Sequence, residues 1–275
     1  MAGGPVILYG KKGAGCSLNT VKGFHAFLWW FFHLARFYFS TTPLGLTVGV
    51  LSLTFSKVFQ VLAFFIPLKL FIIMSSDKMP HYMRFLADTF SMGRGDLIFL
   101  LSCSVGIFYL SYIALGIVYR RIVDGHFEKL ELAGLTLGGV ELSKRDLIKM
   151  HGRCIAAVAD LFLIGFAMAM VFLVNGAMAL VWIFLVYFNF IFFFRNVFLN
   201  CKENRVSFLK LKHNQFIEYF SSANFLVIFG LLVVQASYMD LGLFSAIFLL
   251  LLSRMLFRAL SGFSVNSLNV YKVVV

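Results

Sequence analysis

The stretch Cys154 to Phe194, CIAAVADLFLIGFAMAMVFLVNGAMALVWIFLVYFNFIFFF, decides the fold. It holds two helices' worth of apolar sequence, broken at Val174-Asn175-Gly176. As one helix it would be roughly 60 Å long at about 1.5 Å per residue, twice the ~30 Å hydrocarbon core of a bilayer. The pattern predicts a pair of spanning helices joined by a tight hairpin at Asn175-Gly176. The remainder of the chain must then be read as part of a membrane protein.

Composition agrees. The chain is 61% hydrophobic and 13% charged, with a mean hydropathy of +0.91, where soluble domains carry about 25% charged residues. The fold class is therefore an all-α polytopic membrane protein. The 35 Phe among 275 residues are read as lipid-facing bulk. The net charge of +12 raises the question of nucleic acid. However, the basic residues sit at helix ends, where they set topology and meet anionic headgroups, so no nucleic-acid partner is expected. Cys16, Cys103, Cys154 and Cys201 have no CxxC or His-paired spacing and read as reduced structural thiols. Met1 to Gly23 lacks an apolar core with small-residue cleavage positions, so no cleaved signal peptide is expected.

Ahead of the spans, Gly10-Lys11-Lys12-Gly13-Ala14-Gly15-Cys16-Ser17 follows the apolar run Pro5 to Tyr9. It resembles a phosphate-binding loop, in which backbone N–H groups cradle phosphates and a Lys neutralises them. Cys16 stands at the Lys position, and no later stretch supplies the parallel sheet such a loop needs; the segment reads as a basic leader. Residues 23–42 (GFHAFLWWFFHLARFYFSTT) are aromatic and too short to span alone, which suits an amphipathic helix in the headgroup region. His25 and His33 share a helical face but have no acidic or Cys neighbour, so no metal site is expected. Domain organisation is thus a leader and interfacial helix over 1–42 and a six-helix domain over 43–275.

The spans are expected at about Pro43–Met74, Leu97–Val118, Ile155–Val174, Ala177–Phe194, Ala223–Ser237 and Leu243–Phe257. The last two are short, and their polar flanks can continue as helix. Six spans put both termini on one side. The leader, the 119–153 and 195–213 stretches and the end from Arg254 hold 18 of the 24 Lys and Arg, while loop 75–96 holds three and the turns at 174–177 and 238–242 hold none. Both termini are therefore expected in the cytoplasm, with two long basic loops beside them.

This pattern resembles the six-helix transmembrane domain of ATP-binding-cassette exporters, in particular the type I secretion branch that moves unfolded proteins out of Gram-negative bacteria. The similarity covers roughly residues 45–272. Ala63-Phe64-Phe65-Ile66-Pro67-Leu68 followed by Asp77-Lys78-Met79-Pro80 is similar to the family's apolar-Pro-Leu run and its tyrosine-aspartate-arginine-x-x-Pro exit. Ser76 stands at the tyrosine and Lys78 at the arginine. Ala159-Asp160-Leu161-Phe162 resembles the alanine-aspartate-leucine-proline-phenylalanine entry to the third helix, without its Pro. Leu241-Gly242-Leu243-Phe244-Ser245-Ala246 and Ser253-Arg254 look like the family's leucine-x-glycine-x-leucine-x-alanine turn and serine-arginine pair.

The resemblance implies a bacterial inner-membrane permease acting as a homodimer or with a similar chain. This chain has no Walker A, signature or Walker B sequence after the spans, so it is expected to bind no cofactor and to be no enzyme. ATP would be hydrolysed by a separate ATPase subunit. By the same resemblance the two basic loops end in coupling helices, with Phe127, Glu128, Lys129, Leu130, Phe208, Leu209, Lys210 and Leu211 supplying apolar anchors and charges for docking. Read as topology determinants alone, the same loops are merely solvated.

Lys57, Gln60 and Lys69 interrupt the first span, and a charge in lipid is costly enough to favour a bundle- or cavity-facing position. Lys69 can snorkel; Lys57, deeper, would line a translocation path or pair with Asp160. Asn189 and Gln235 read as interhelical hydrogen-bonding residues. No Ser, His and Asp cluster suggests a nucleophile. The expected function is a transport component. The alternative is an assembly subunit that keeps the six helices as a scaffold without an ATPase, and a lipid- or polysaccharide-handling permease could use the same fold.

Overall fold

In a computed structural model, residues 20–75, 93–125, 136–137, 140–141, 144–198, 211–238 and 243–274 are described. The elements are α1 (Thr20–Thr41), α2 (Pro43–Ser75), α3 (Arg94–Gly125), a small hairpin β1 (Thr136–Leu137) and β2 (Val140–Glu141), α4 (Lys144–Val174), α5 (Gly176–Phe193), α6 (His213–Tyr238) and α7 (Leu243–Val274). Six of them, α2 to α7, are long and apolar enough to cross a membrane. The protein is an integral membrane protein of transmembrane helices.

The break that organises the chain is a single residue. Asn175 has an extended backbone (φ −155°, ψ 103°), and its Oδ1 accepts from the Met178 N–H at 3.1 Å. It thus caps α5 as α4 ends, satisfying one of the donors a helix start leaves open. At the far end α5 passes into a π-helical segment, Phe194–Phe198.

The helices extend past the expected spans. The second span continues through Arg120-Arg121 to Gly125, the fifth starts at His213, and the sixth runs to Val274. Apolarity marks where lipid ends, whereas a helix ends where its backbone loses partners, so polar flanks stay helical. Pro67 lies inside α2 without ending it. The 119–153 stretch also contains the antiparallel β1–β2 pair, in the register Thr136↔Glu141 and Leu137↔Val140.

The chain forms two compact units, residues 51–120 and the remainder. The smaller is the α2–α3 pair. There Ser56 Oγ donates to the Tyr112 carbonyl at 3.0 Å, and the Phe59 and Phe108 rings lie 5.4 Å apart. The larger centres on α7, which packs on α4 and α6. The α4 face that meets neighbours is fully enclosed at Cys154, Ile155, Ala157, Ala159, Ala167 and Val171. Its small residues let the backbones approach, as membrane helix packing requires.

Helix α1 buries Phe27, Trp30, Phe31, Leu34 and Tyr38, one helical stripe, against this larger unit. Phe27 meets Phe194 and Tyr271 with centroids 6.2 and 6.1 Å away, and Trp30 meets Tyr271 edge-on at 5.6 Å. Further along, Phe31 lies against Phe263 at 5.3 Å and Tyr38 against His151 at 5.3 Å. Trp29, Phe32, His33, Arg36, Phe37 and Phe39 point outward.

Candidate functional site

Polar side chains in the larger unit form ties between helices. On α4, Asp160 is buried, with 1% of its surface exposed. The opposing position on α7 is Gly262, where a Cβ would stand 2.5 Å from Asp160 Oδ2. Only a residue without a side chain lets the carboxylate rest on that backbone. One turn on, Asn266 Nδ2 points at the same oxygen from 3.5 Å, a long hydrogen bond at most.

The second tie joins α5 and α6. Asn224 Nδ2 donates to Asn189 Oδ1 at 2.7 Å and to the Phe220 carbonyl at 2.8 Å, and Asn189 Nδ2 donates to the Leu185 carbonyl at 2.7 Å. Each amide thus finds partners on its own helix and across the interface, so neither is stranded in an apolar setting. A third tie runs from Ser221 Oγ on α6 to the Phe257 carbonyl of α7 at 2.6 Å. Trp182, fully buried on α5, has no hydrogen-bond partner for Nε1 among the described residues.

Asp160 and Asn189 both lie about 20 Å along their helices from the Asn175 turn, at 1.5 Å per residue. Asn224 is at a similar distance from the Tyr238 end of α6. The ties therefore occupy one layer in the membrane half that borders the basic loops. An interhelical hydrogen bond in a membrane contributes about 0.6 kcal/mol on average, up to about 1.7. Chemically the layer fixes helix register, and Asp160 is its one described acid. Among the described residues no group of three or more His, Cys, Asp and Glu could hold a metal ion.

The residues expected from sequence are placed as follows. Asp160 is enclosed by α7 of its own unit, whereas Lys57 and Gln60 belong to α2 in the other unit, Lys57 half-buried and Gln60 exposed. Lys69 Nζ sits 4.8 Å from the Phe65 ring centroid, a cation–π contact that helps hold a charge near the span's end. Asn189 makes the interhelical bond expected of it; Gln235 is half-buried. His33 is exposed, with its ring 3.8 Å from that of Trp29. Phe127, Glu128, Lys129, Leu130, Phe208, Leu209 and Lys210 lie outside the described residues, as does the Gly10–Ser17 loop. Leu211 is half-buried just before α6.

Sequence reading missed Gly262, Asn266, Asn224 and Ser221. The Gly262–Asn266 spacing of four within a Ser- and Asn-rich run was the available signal, since it sets a gap and a donor on one helical face. No family model, curated protein or solved structure matches this chain.

Proposed function

We propose that this chain is the permease subunit of an exporter of the ATP-binding-cassette type, forming the cargo path and driven by an ATPase on a separate chain. The observation that supports this best is helix length. Helices α2, α3, α4 and α7 have 33, 32, 31 and 32 residues, close to 48 Å each, against a hydrocarbon core of about 30 Å. On α3, α4 and α7 the excess lies at the basic end: Tyr119 to Gly125, Lys144 to Arg153, and Ser261 to Val274. Rigid extensions of that kind carry force from a partner pressing on the basic loops into the spans. Under this reading the termini and basic loops are cytoplasmic, the membrane is a bacterial inner membrane, and α1 lies at the headgroups with Trp29, Phe32 and Arg36 outward. A second copy or a similar chain completes the path, because six helices rarely enclose a large one.

The test is purification of the chain from its native membrane, with and without vanadate-trapped nucleotide. An ATPase subunit should co-purify, and its hydrolysis should rise when the chain is present. If no ATPase co-purifies and no stimulated hydrolysis appears, the exporter reading fails. A second reading draws on the fixed ties Asp160–Gly262 and Asn189–Asn224, which suit a rigid membrane scaffold. That reading expects a stable complex with other membrane subunits and no ATPase.

A further inference from the structure

Helix α7 is the most enclosed of the six spans, and what it leaves uncovered is basic. Half of its most apolar window is buried. From Ser245 to Lys272 the exposed residues are Arg254, Arg258 and Lys272. Among the described residues α7 exposes no large hydrophobic side chain, while α4, α5 and α6 present Phe172, Phe184 and Leu226 at 67%, 66% and 65% exposure. Those three helices have faces suited to lipid. Helix α7 has none.

Depth sharpens the contrast. On α4 and α5 the first basic residues, Arg153 and Arg195, lie about 20 residues from the Asn175 turn, which matches the ~30 Å hydrocarbon thickness. On α6 Glu218 lies about 20 residues from Tyr238. On α7, Arg254 comes only about 16 Å from the Leu243 end and Arg258 about 22 Å, by the same 1.5 Å rise. Arg254 is thus near the bilayer midplane, beyond easy snorkelling to either surface. Their spacing of four puts both guanidinium groups on one helical face, and the half-buried Ser261, Val265 and Asn269 continue that stripe to exposed Lys272. Among the described residues no carboxylate pairs with Arg254 or Arg258, and the buried acid nearby, Asp160, is turned onto Gly262. Intramembrane arginines left open in this way are far more favourable in water or against an anion than in lipid.

We infer that the Arg254–Arg258 face of α7 lines a water-filled path in the membrane and recognises an oxyanion, a phosphate or carboxylate group carried by the cargo. Two guanidinium forks one turn apart match such groups with paired, charge-assisted hydrogen bonds. The group can arrive on a lipid headgroup or on a soluble cargo. The inference rests on the permease reading for its cargo, but not for the wetness of the face.

The test places a single thiol at Ser261→Cys, one turn from Arg258, with the native cysteines replaced and the protein in lipid nanodiscs. Its reaction rates with an anionic and a cationic methanethiosulfonate are compared. Both reagents should react, the anionic one faster, while Leu226→Cys on the lipid face stays unreactive. The pair Arg254→Gln and Arg258→Gln should lower the anionic-to-cationic rate ratio at least tenfold. Arg254→Lys with Arg258→Lys should retain it, which separates lost charge from lost fold. A thiol at 261 as silent as the one at 226, or a ratio unchanged in the Gln pair, overturns the inference.

Adding phosphatidylglycerol to phosphatidylcholine discs should slow the anionic reagent if a lipid headgroup occupies the stripe. Inorganic phosphate in neutral discs should slow it if a soluble anion does. Slowing by neither overturns oxyanion recognition. A dry stripe in a chain that co-purifies with an ATPase sinks this inference alone, and a wet, anion-selective stripe without any ATPase sinks the permease reading alone.

Discussion

The α2–α3 pair and the α4–α7 body solve the same problem differently. In the pair, 12% and 6% of the most apolar windows are buried; in the body the shares are 39%, 33%, 28% and 50%. The pair presents large apolar side chains widely, Phe64, Phe71, Phe99 and Leu110 among them. Among its described contacts are the Phe59–Phe108 ring pair and the Ser56–Tyr112 bond. The body encloses small residues and ties them with Asp160, Asn189, Asn224 and Ser221. Lipid is as apolar as Leu, so apolar faces alone do not hold membrane helices together. Close packing and buried polar bonds do, and they are concentrated in α4–α7.

That comparison breaks most easily at Trp182. The side chain is fully buried on α5, and Trp182→Ala should cost about 3–5 kcal/mol through the cavity it leaves. Heating in detergent while following the Cys154 thiol, buried in the body, reports the loss against the same thiol in the unsubstituted chain. An unshifted Cys154 transition would mean that α5 is not integral to the body.

Gly262→Ala comes next. Its Cβ would meet the Asp160 carboxylate at 2.5 Å, and overpacking of that kind costs about 1–3 kcal/mol. The effect should shrink when Asp160→Ala is made in the same chain, because the clash needs both partners. Equal losses with and without Asp160 would show that the glycine serves the backbone and not the carboxylate.

Asp160 and Asn189 were legible in the sequence because each is a polar residue in an otherwise apolar run, and such a residue needs a partner. Their partners were not legible. The role of Gly262 is the absence of a side chain, which has a meaning only once α4 is known to meet α7. Asn224 looked like the mere beginning of a short span. The Asn175 break could be read because one residue supplies both the interruption and the cap. The true ends of α3, α6 and α7 could not, because hydropathy reports the lipid boundary and those helices outrun it. The β1–β2 hairpin was readable in principle: Gly138-Gly139 between Thr136-Leu137 and Val140-Glu141 is a two-residue turn sequence. The basic stripe on α7 was hidden by counting Arg254 and Arg258 with the loop charges, which ignores their depth.

A smaller effect tests the polar ties directly. A double-mutant cycle of Asn189→Leu and Asn224→Leu should give a coupling of about 0.6–1.7 kcal/mol. Ser56→Ala in the pair should cost about 1 kcal/mol or less, the loss of a single neutral hydrogen bond buried between two otherwise loosely covered helices. A larger loss at Ser56 than the Asn189–Asn224 coupling would reverse the ranking of the two regions.

The smallest expected change is at Tyr38, where α1 docks on the body. Burial pushes its phenol above the usual tyrosine range, and its hydroxyl has no hydrogen-bond partner among the described residues. Below about pH 10, where an unfolded tyrosine keeps its proton, the shift has no effect on stability. Above it the unfolded chain loses the proton first, so stability falls as pH rises. Tyr38→Phe removes that alkaline loss. At pH 7 it should be neutral or stabilising by up to about 1 kcal/mol, because it deletes a desolvated hydroxyl rather than a bond. Tryptophan fluorescence during heating, with Trp30 buried against Tyr271, reads both terms. The advantage of the variant should widen from pH 7 to pH 10.5. A variant that melts earlier at pH 7 would show that the hydroxyl is bonded in the docked helix, making this contact one more polar tie of the body rather than an aromatic seat.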